Sequence, residues 1–106
     1  GEHIRDFVSV NDCVSINIWA MKKKIKNPTI LNVGTGKAHS FNFVAKEFLK
    51  HFSEGKIEYI KFPDKIKRGY QSNTKAKINS LRNLGYNKNF IDLREGIKKF
   101  FKENVK

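Results

Sequence analysis

Cysteine is nearly missing from this chain: Cys13 stands alone. An internal disulfide is excluded, and the usage fits a reducing compartment. Cys13 lies in an apolar helical run and reads as a buried structural thiol. No apolar run approaches the ~20 residues of a membrane span, and no signal-peptide pattern opens the sequence. These absences predict a cytoplasmic protein that does not enter membranes. Proline is also scarce, and both prolines, Pro28 and Pro63, mark breaks in the chain. Acidic residues number ten against 22 basic ones. They are spread out, so no paired-carboxylate site forms, and no Ser/His/Asp constellation is present. His39 and His51 have no carboxylate or cysteine at ligand spacing, which predicts ordinary surface histidines and no metal site. No internal repeat is visible.

What is present bounds the chain to one domain or part of one, since it has 106 residues. Hydrophobic residues make up 39% and include nine Phe, which argues against disorder. The net charge of +12 raises the possibility of a free-standing basic module for nucleic acid. Lys, Asn, Ile and Phe are enriched together, however, as an AT-biased genome would supply them. The basic residues are scattered, and no C₂H₂, RRM or KH signature occurs. The aromatics fall on helix stripes and are not interleaved with cations as stacking platforms. The chain opens at Gly1 without Met, two residues before Ile4. That reads as a piece of a longer protein, with loss of an initiator Met as the alternative.

The pattern predicts strands at Asp6–Val10, Thr29–Val33 and Ile57–Phe62. It predicts a helix from Cys13 to about Lys23, capped by Asn11 or Asp12. That helix is apolar on several sides, with Val14, Ile18 and Met21 on one face and Trp19 as core beside it, so it should be sandwiched. Ser40 should cap a helix whose stripe runs through Phe41, Val44, Phe48 and Phe52. A last helix should start after Asp92 and bury Leu93, Ile97, Phe100, Phe101 and Val105. Gly96 weakens it, and close packing is the usual reason for such a glycine. The resulting fold class is a small mixed α/β unit.

Two stretches invite a functional reading. Gly34-Thr35-Gly36 follows a strand and precedes a helix, but it lacks the third glycine of GxGxxG and the spacing of a P-loop. A plain turn is the better reading. Phe62–Tyr86 joins a loop carrying Lys65, Lys67, Arg68 and Tyr70 to a short helix capped by Asn73 or Thr74. Ile78, Leu81 and Leu84 form that helix's stripe, and Gly85 ends it. Such a loop suits an anion bearing a flat ring or a sugar; a solvated surface loop is the alternative. No Tyr-x-x-x-Lys pair occurs: Tyr59 is followed four residues on by Pro63, and Tyr70 by Thr74. The chain has groups that bind and none that clearly catalyse.

Four blocks carry a resemblance: RDFVSVNDCVSINIW (Arg5–Trp19), LNVGTGKAHSF (Leu31–Phe41), IEYIKFPDKIKRGYQSNTKA (Ile57–Ala76) and LRNLGY (Leu81–Tyr86). In this order they resemble the C-terminal part of the ADP-L-glycero-D-manno-heptose 6-epimerases, which are extended short-chain dehydrogenase/reductases. RDFV and NVGTG are shared widely in that superfamily; the IEYIKFPDK block is more specific. The resemblance implies that residues 1–106 form a C-terminal nucleotide-sugar-binding region lacking most of the Rossmann domain. A preceding Rossmann half would bind NADP and carry the catalytic Tyr and Lys. The implied reaction inverts heptose C6 by transient oxidation, for the lipopolysaccharide inner core. The implied substrate is ADP-heptose, and the implied assembly a homo-oligomer. By motif, Arg5 and Tyr70 are implied to bind substrate, and Arg68 is a further candidate. Here Arg68 precedes Gly69, whereas the family has Gly before Arg. A structural ion pair of Arg5 with Asp6 or Asp12 is the alternative role for that residue. Another nucleotide-sugar epimerase or dehydratase of the superfamily is the alternative function.

Overall fold

The computed structural model describes residues 1–105. The elements run β1 (Ile4–Arg5), α1 (Val10–Lys22), β2 (His39–Ser40), α2 (Phe41–Leu49), α3 (Asp64–Lys67), α4 (Asn79–Asn83) and α5 (Leu93–Asn104). This is a small mixed helix–strand structure. β1 pairs antiparallel with β2, Ile4 facing Ser40 and Arg5 facing His39. On its other side Ile4 forms a parallel bridge with Asn73. No helix among the described residues is long and apolar enough to cross a membrane.

The helices follow from their caps. Ser40 accepts from the Phe43 amide at 3.1 Å and starts α2. Asp92 accepts from the Arg94 amide at 3.0 Å and starts α5. α1 starts earlier than expected, because Ser9 is its cap, not Asn11 or Asp12. Asp12 is buried instead and accepts from the Ile91 amide at 2.8 Å, tying α1 to the approach of α5. α4 is shorter than expected and follows Ile78; Asn73 and Thr74 pair with β1 and do not cap it. The stretch after Pro63 is a single helical turn, α3, where a loop was expected.

The three expected strands are absent as ladders. Residues 6–9 leave β1 and enter the α1 cap, while residues 29–33 and 57–62 have no neighbouring strand. Without a neighbour, the backbone groups of an extended segment cannot form a ladder. Ile30 and Ile60 are accordingly exposed.

The core gathers Ile16, Leu81 and Tyr86, with Trp19, Leu31 and Phe90 against them. The Trp19 ring meets Tyr86 edge-on at 5.3 Å. α1 therefore buries its Asp12–Ile16 face, and Val14, Ile18 and Met21, expected to be covered, are exposed. Cys13 is half-buried, not buried. α2 ends at Leu49, so Phe52, expected on its stripe, lies beyond the helix; Phe48 and Phe52 still meet Phe101 of α5 edge-on at 5.3 and 5.2 Å. On α5, Ile97 and Phe101 are buried, whereas Phe100 and Val105 are about half exposed. His39 and His51 are ring-stacking partners of Phe43 and Phe101, at 4.5 and 4.6 Å.

Candidate functional site

Arg5 and Tyr70 lie 65 positions apart, and the fold brings them together. The Ile4 amide donates to Ser72 O at 2.8 Å, and the Thr74 amide donates to Ile4 O at 3.1 Å. These two bonds lay the strip after Tyr70 alongside β1. The Arg5 guanidinium then stands 4.9 Å from the centre of the Tyr70 ring. It donates to Ile4 O at 2.7 Å and to Gln71 O at 2.5 Å. An arginine held over a ring by carbonyl anchors is pre-aimed, and its remaining N–H groups can meet an anion bidentately.

Next to this pair, His3, Phe62 and Tyr70 form a ring cluster. His3 and Phe62 each meet Tyr70 near edge-on at 4.9 Å. The cluster edges a groove of about 400 Å³, whose walls include Phe41, Asn42, Ile57 and Tyr59. Tyr59 donates its hydroxyl to Asn42 Oδ1 at 2.9 Å, which ties the 57–62 strip to α2. A cation beside an apolar, aromatic groove suits an anion joined to a flat or sugar ring.

Arg5 forms no ion pair with either candidate acid. The Asp6 carboxylate is already engaged: Oδ1 accepts from the Thr35 amide at 2.9 Å and from Thr35 Oγ1 at 2.6 Å. Its Oδ2 accepts from the Gly36 amide at 2.8 Å and the Ala76 amide at 3.2 Å. Burial pushes the Asp6 pKa up, but these four hydrogen bonds outweigh it and hold the carboxyl below its usual 3.8. The same contacts explain the glycine turn. The amides a phosphate would need at Thr35 and Gly36 are occupied by Asp6, so Gly34-Thr35-Gly36 is a structural turn. Gly34 has to be glycine here, since a Cβ would lie 2.5 Å from the Ala76 Cβ and 2.8 Å from Asp6 Oδ2.

Arg68 stands apart. It is exposed and follows α3; neither it nor Arg5 lines the groove, and Arg5 is the one whose guanidinium stands over the Tyr70 ring. Lys65 and Lys67 are likewise exposed. Gly69 takes φ +91°, a conformation that glycine adopts without strain, and so turns the chain just before Tyr70. The fold thus unites Arg5 with Tyr70 and leaves Arg68 outside. His3 and Phe62 were missed as site residues. Alternation along an extended strip would have placed His3 on the face of Arg5; for Phe62 no local signal exists. No cluster of three or more potential metal ligands occurs among the described residues. When the chain is compared with models of known protein families, none matches.

Proposed function

We propose that this chain is the substrate-binding portion of an NADP-dependent nucleotide-sugar epimerase acting on ADP-heptose. In this reading Arg5 takes the diphosphate, and Tyr70 offers its ring face and hydroxyl to the rest of the ligand. The observation that carries it is the meeting of Arg5 with Tyr70 beside an aromatic groove. NADP does not fit the residues of this chain. No dinucleotide fingerprint or Tyr-x-x-x-Lys pair is present, and the one glycine turn after a strand-like stretch has its amides filled by Asp6. The redox step at C6, the Rossmann fold and the homo-oligomer therefore belong to a longer parent in this proposal. What this chain does is hold and orient the sugar nucleotide.

The test is calorimetric titration of the 106-residue chain with ADP-sugar, UDP-sugar and GDP-sugar. ADP-sugar should bind best. Arg5→Ala should weaken it by roughly tenfold or more, the scale of one lost charge-assisted contact. Tyr70→Phe should weaken it less, since the ring remains. Preference for UDP- or GDP-sugar would transfer the reading to another enzyme of the superfamily. Unchanged affinity in both variants would remove Arg5 and Tyr70 from the site.

A further inference from the structure

We propose that Asp6 is the positioning residue of the Arg5–Tyr70 site, holding the Tyr70 arm against β1 by standing in for a missing rung of the backbone ladder. The inference rests on the reading of Arg5 and Tyr70 as ligand-binding groups.

The argument begins with the pairing at Ile4. In a parallel ladder one residue donates to the partner before its opposite number and accepts from the one after it. Ile4 does this with Ser72 and Thr74 around Asn73. The next rung would use the backbone of Asp6 to accept from the Ala76 amide. The Asp6 side chain accepts it instead, through Oδ2. The same carboxylate accepts from Thr35 and Gly36, so two distant segments converge on one charged group of the β1 strip. One of these, the strip holding Ala76, is the arm that carries Tyr70 and Gln71. Arg5 is the residue just before Asp6 and is aimed by Gln71 O. The Asp6 anchor thus sets the distance between the cation and the ring. The bonds from Thr35 and Gly36, at 2.6–2.9 Å, have the short length expected for an ionised acceptor and fix the carboxylate, which then receives the longer 3.2 Å bond from Ala76. Gly34 seals the arrangement, because any side chain there would collide with both Asp6 and Ala76.

Asp6→Asn is the test, because asparagine keeps the shape and removes the charge. An amide offers one accepting oxygen, and its NH₂ would face amide donors. Two readouts are taken on the 106-residue chain. The first is the ring-current shift of the Arg5 side-chain Nε–H by NMR, which reports its seat over Tyr70 without ligand. The second is ADP affinity by titration. The expected result is loss of the Arg5 ring-current shift and an affinity for ADP roughly tenfold weaker. A stapled turn with no positioning role would lower the melting temperature and leave both readouts at their wild-type values; that outcome overturns the inference. If the wild type binds no ADP but Asp6→Asn loses the Arg5 shift, Asp6 keeps its positioning role and the nucleotide reading falls. Should Asp6→Asn fail to fold, Thr35→Val removes one donor to Oδ1 and keeps the β-branched shape. It should reduce the Arg5 shift and weaken ADP in the same direction; wild-type values for both would again overturn the inference.

Discussion

Asp6 has a consequence for pH that can be worked out at the level of the single side chain. Its folded pKa lies below the ordinary 3.8. The native state therefore favours the carboxylate, and the unfolded chain takes up the proton first as pH falls. The stabilisation is complete above the ordinary value and disappears as pH drops through the folded one. Thermal unfolding of the wild type, followed downward through the carboxylate range, should show a falling midpoint below about pH 4. Asp6→Asn should lack a large part of that fall. Some acid sensitivity remains in the variant, because Glu47 is also held low, first by the hydrogen bond from Lys50 and further by the charges of Lys50 and Arg94. An acid limb as steep in Asp6→Asn as in the wild type would show that the carboxylate is not preferentially charged in the fold. The motifs singled out Arg5 and Tyr70, and the fold puts the Arg5 guanidinium 4.9 Å from the Tyr70 ring centre. That Asp6 holds them in place was not legible in the sequence, because its four donors come from residues 29 to 70 positions away.

Among the elements, α2 and α5 were the most legible. Each has a capping residue and an apolar stripe, and each starts where its cap put it, although α2 ends at Leu49, short of Phe52, and α5 at Asn104, short of Val105. α1 was legible as a helix but not in its buried face. A helix apolar on several sides offers periodicity no single answer, and the partner decides: Tyr86 and Leu81 took the Ile16–Trp19 side. Two glycines make a paired prediction. Gly85 sits just after α4 at φ +97°. Its amide donates to Arg82 O at 2.9 Å and that of Tyr86 to Leu81 O at 3.2 Å, the two bonds of a Schellman stop. Gly85→Ala should lower stability by about 1 kcal/mol, since an L-residue resists that conformation. Gly96 lies inside α5, where a Cβ would meet only Ile91, at an ordinary 3.7 Å. Close packing does not require this glycine, and Gly96→Ala should raise stability by about 1 kcal/mol. Denaturant midpoints of the two variants, moving in opposite directions, check both; movement in the same direction would contradict the assignment of their roles.

At the scale of the whole molecule the chain is flat and open. Its extents are 51 × 40 × 18 Å and its radius of gyration is 16.8 Å, against about 13 Å for a close-packed chain of this length. Its accessible surface of 8763 Å² compares with about 6,100 Å² for a compact monomer of this mass. The excess is apolar in places: Val10, Val14, Ile18 and Met21 run exposed along α1. Val10 leads into an apolar groove of about 560 Å³ walled by Phe48, Ile97 and Phe100. Such surface drives association in water. The isolated chain should therefore sediment as a concentration-dependent mixture and bind a hydrophobic dye, and Ile18→Lys should reduce both. A monodisperse monomer that leaves the dye dark would contradict this.

The sequence by itself determined what depends on near neighbours: a small mixed fold, the caps at Ser40 and Asp92, the stop at Gly85, and the helical character of α2 and α5. These rest on hydrogen bonds and side-chain spacings within a few residues, which the chain spells out locally. Tertiary structure decided the pairing of Ile4 with Asn73, the face that α1 buries and the convergence of two distant segments on Asp6. It also left residues 29–33 and 57–62 without ladders. Each of these depends on which distant backbone arrives to supply a donor, an acceptor or an apolar surface, and short-range periodicity carries no record of that arrival.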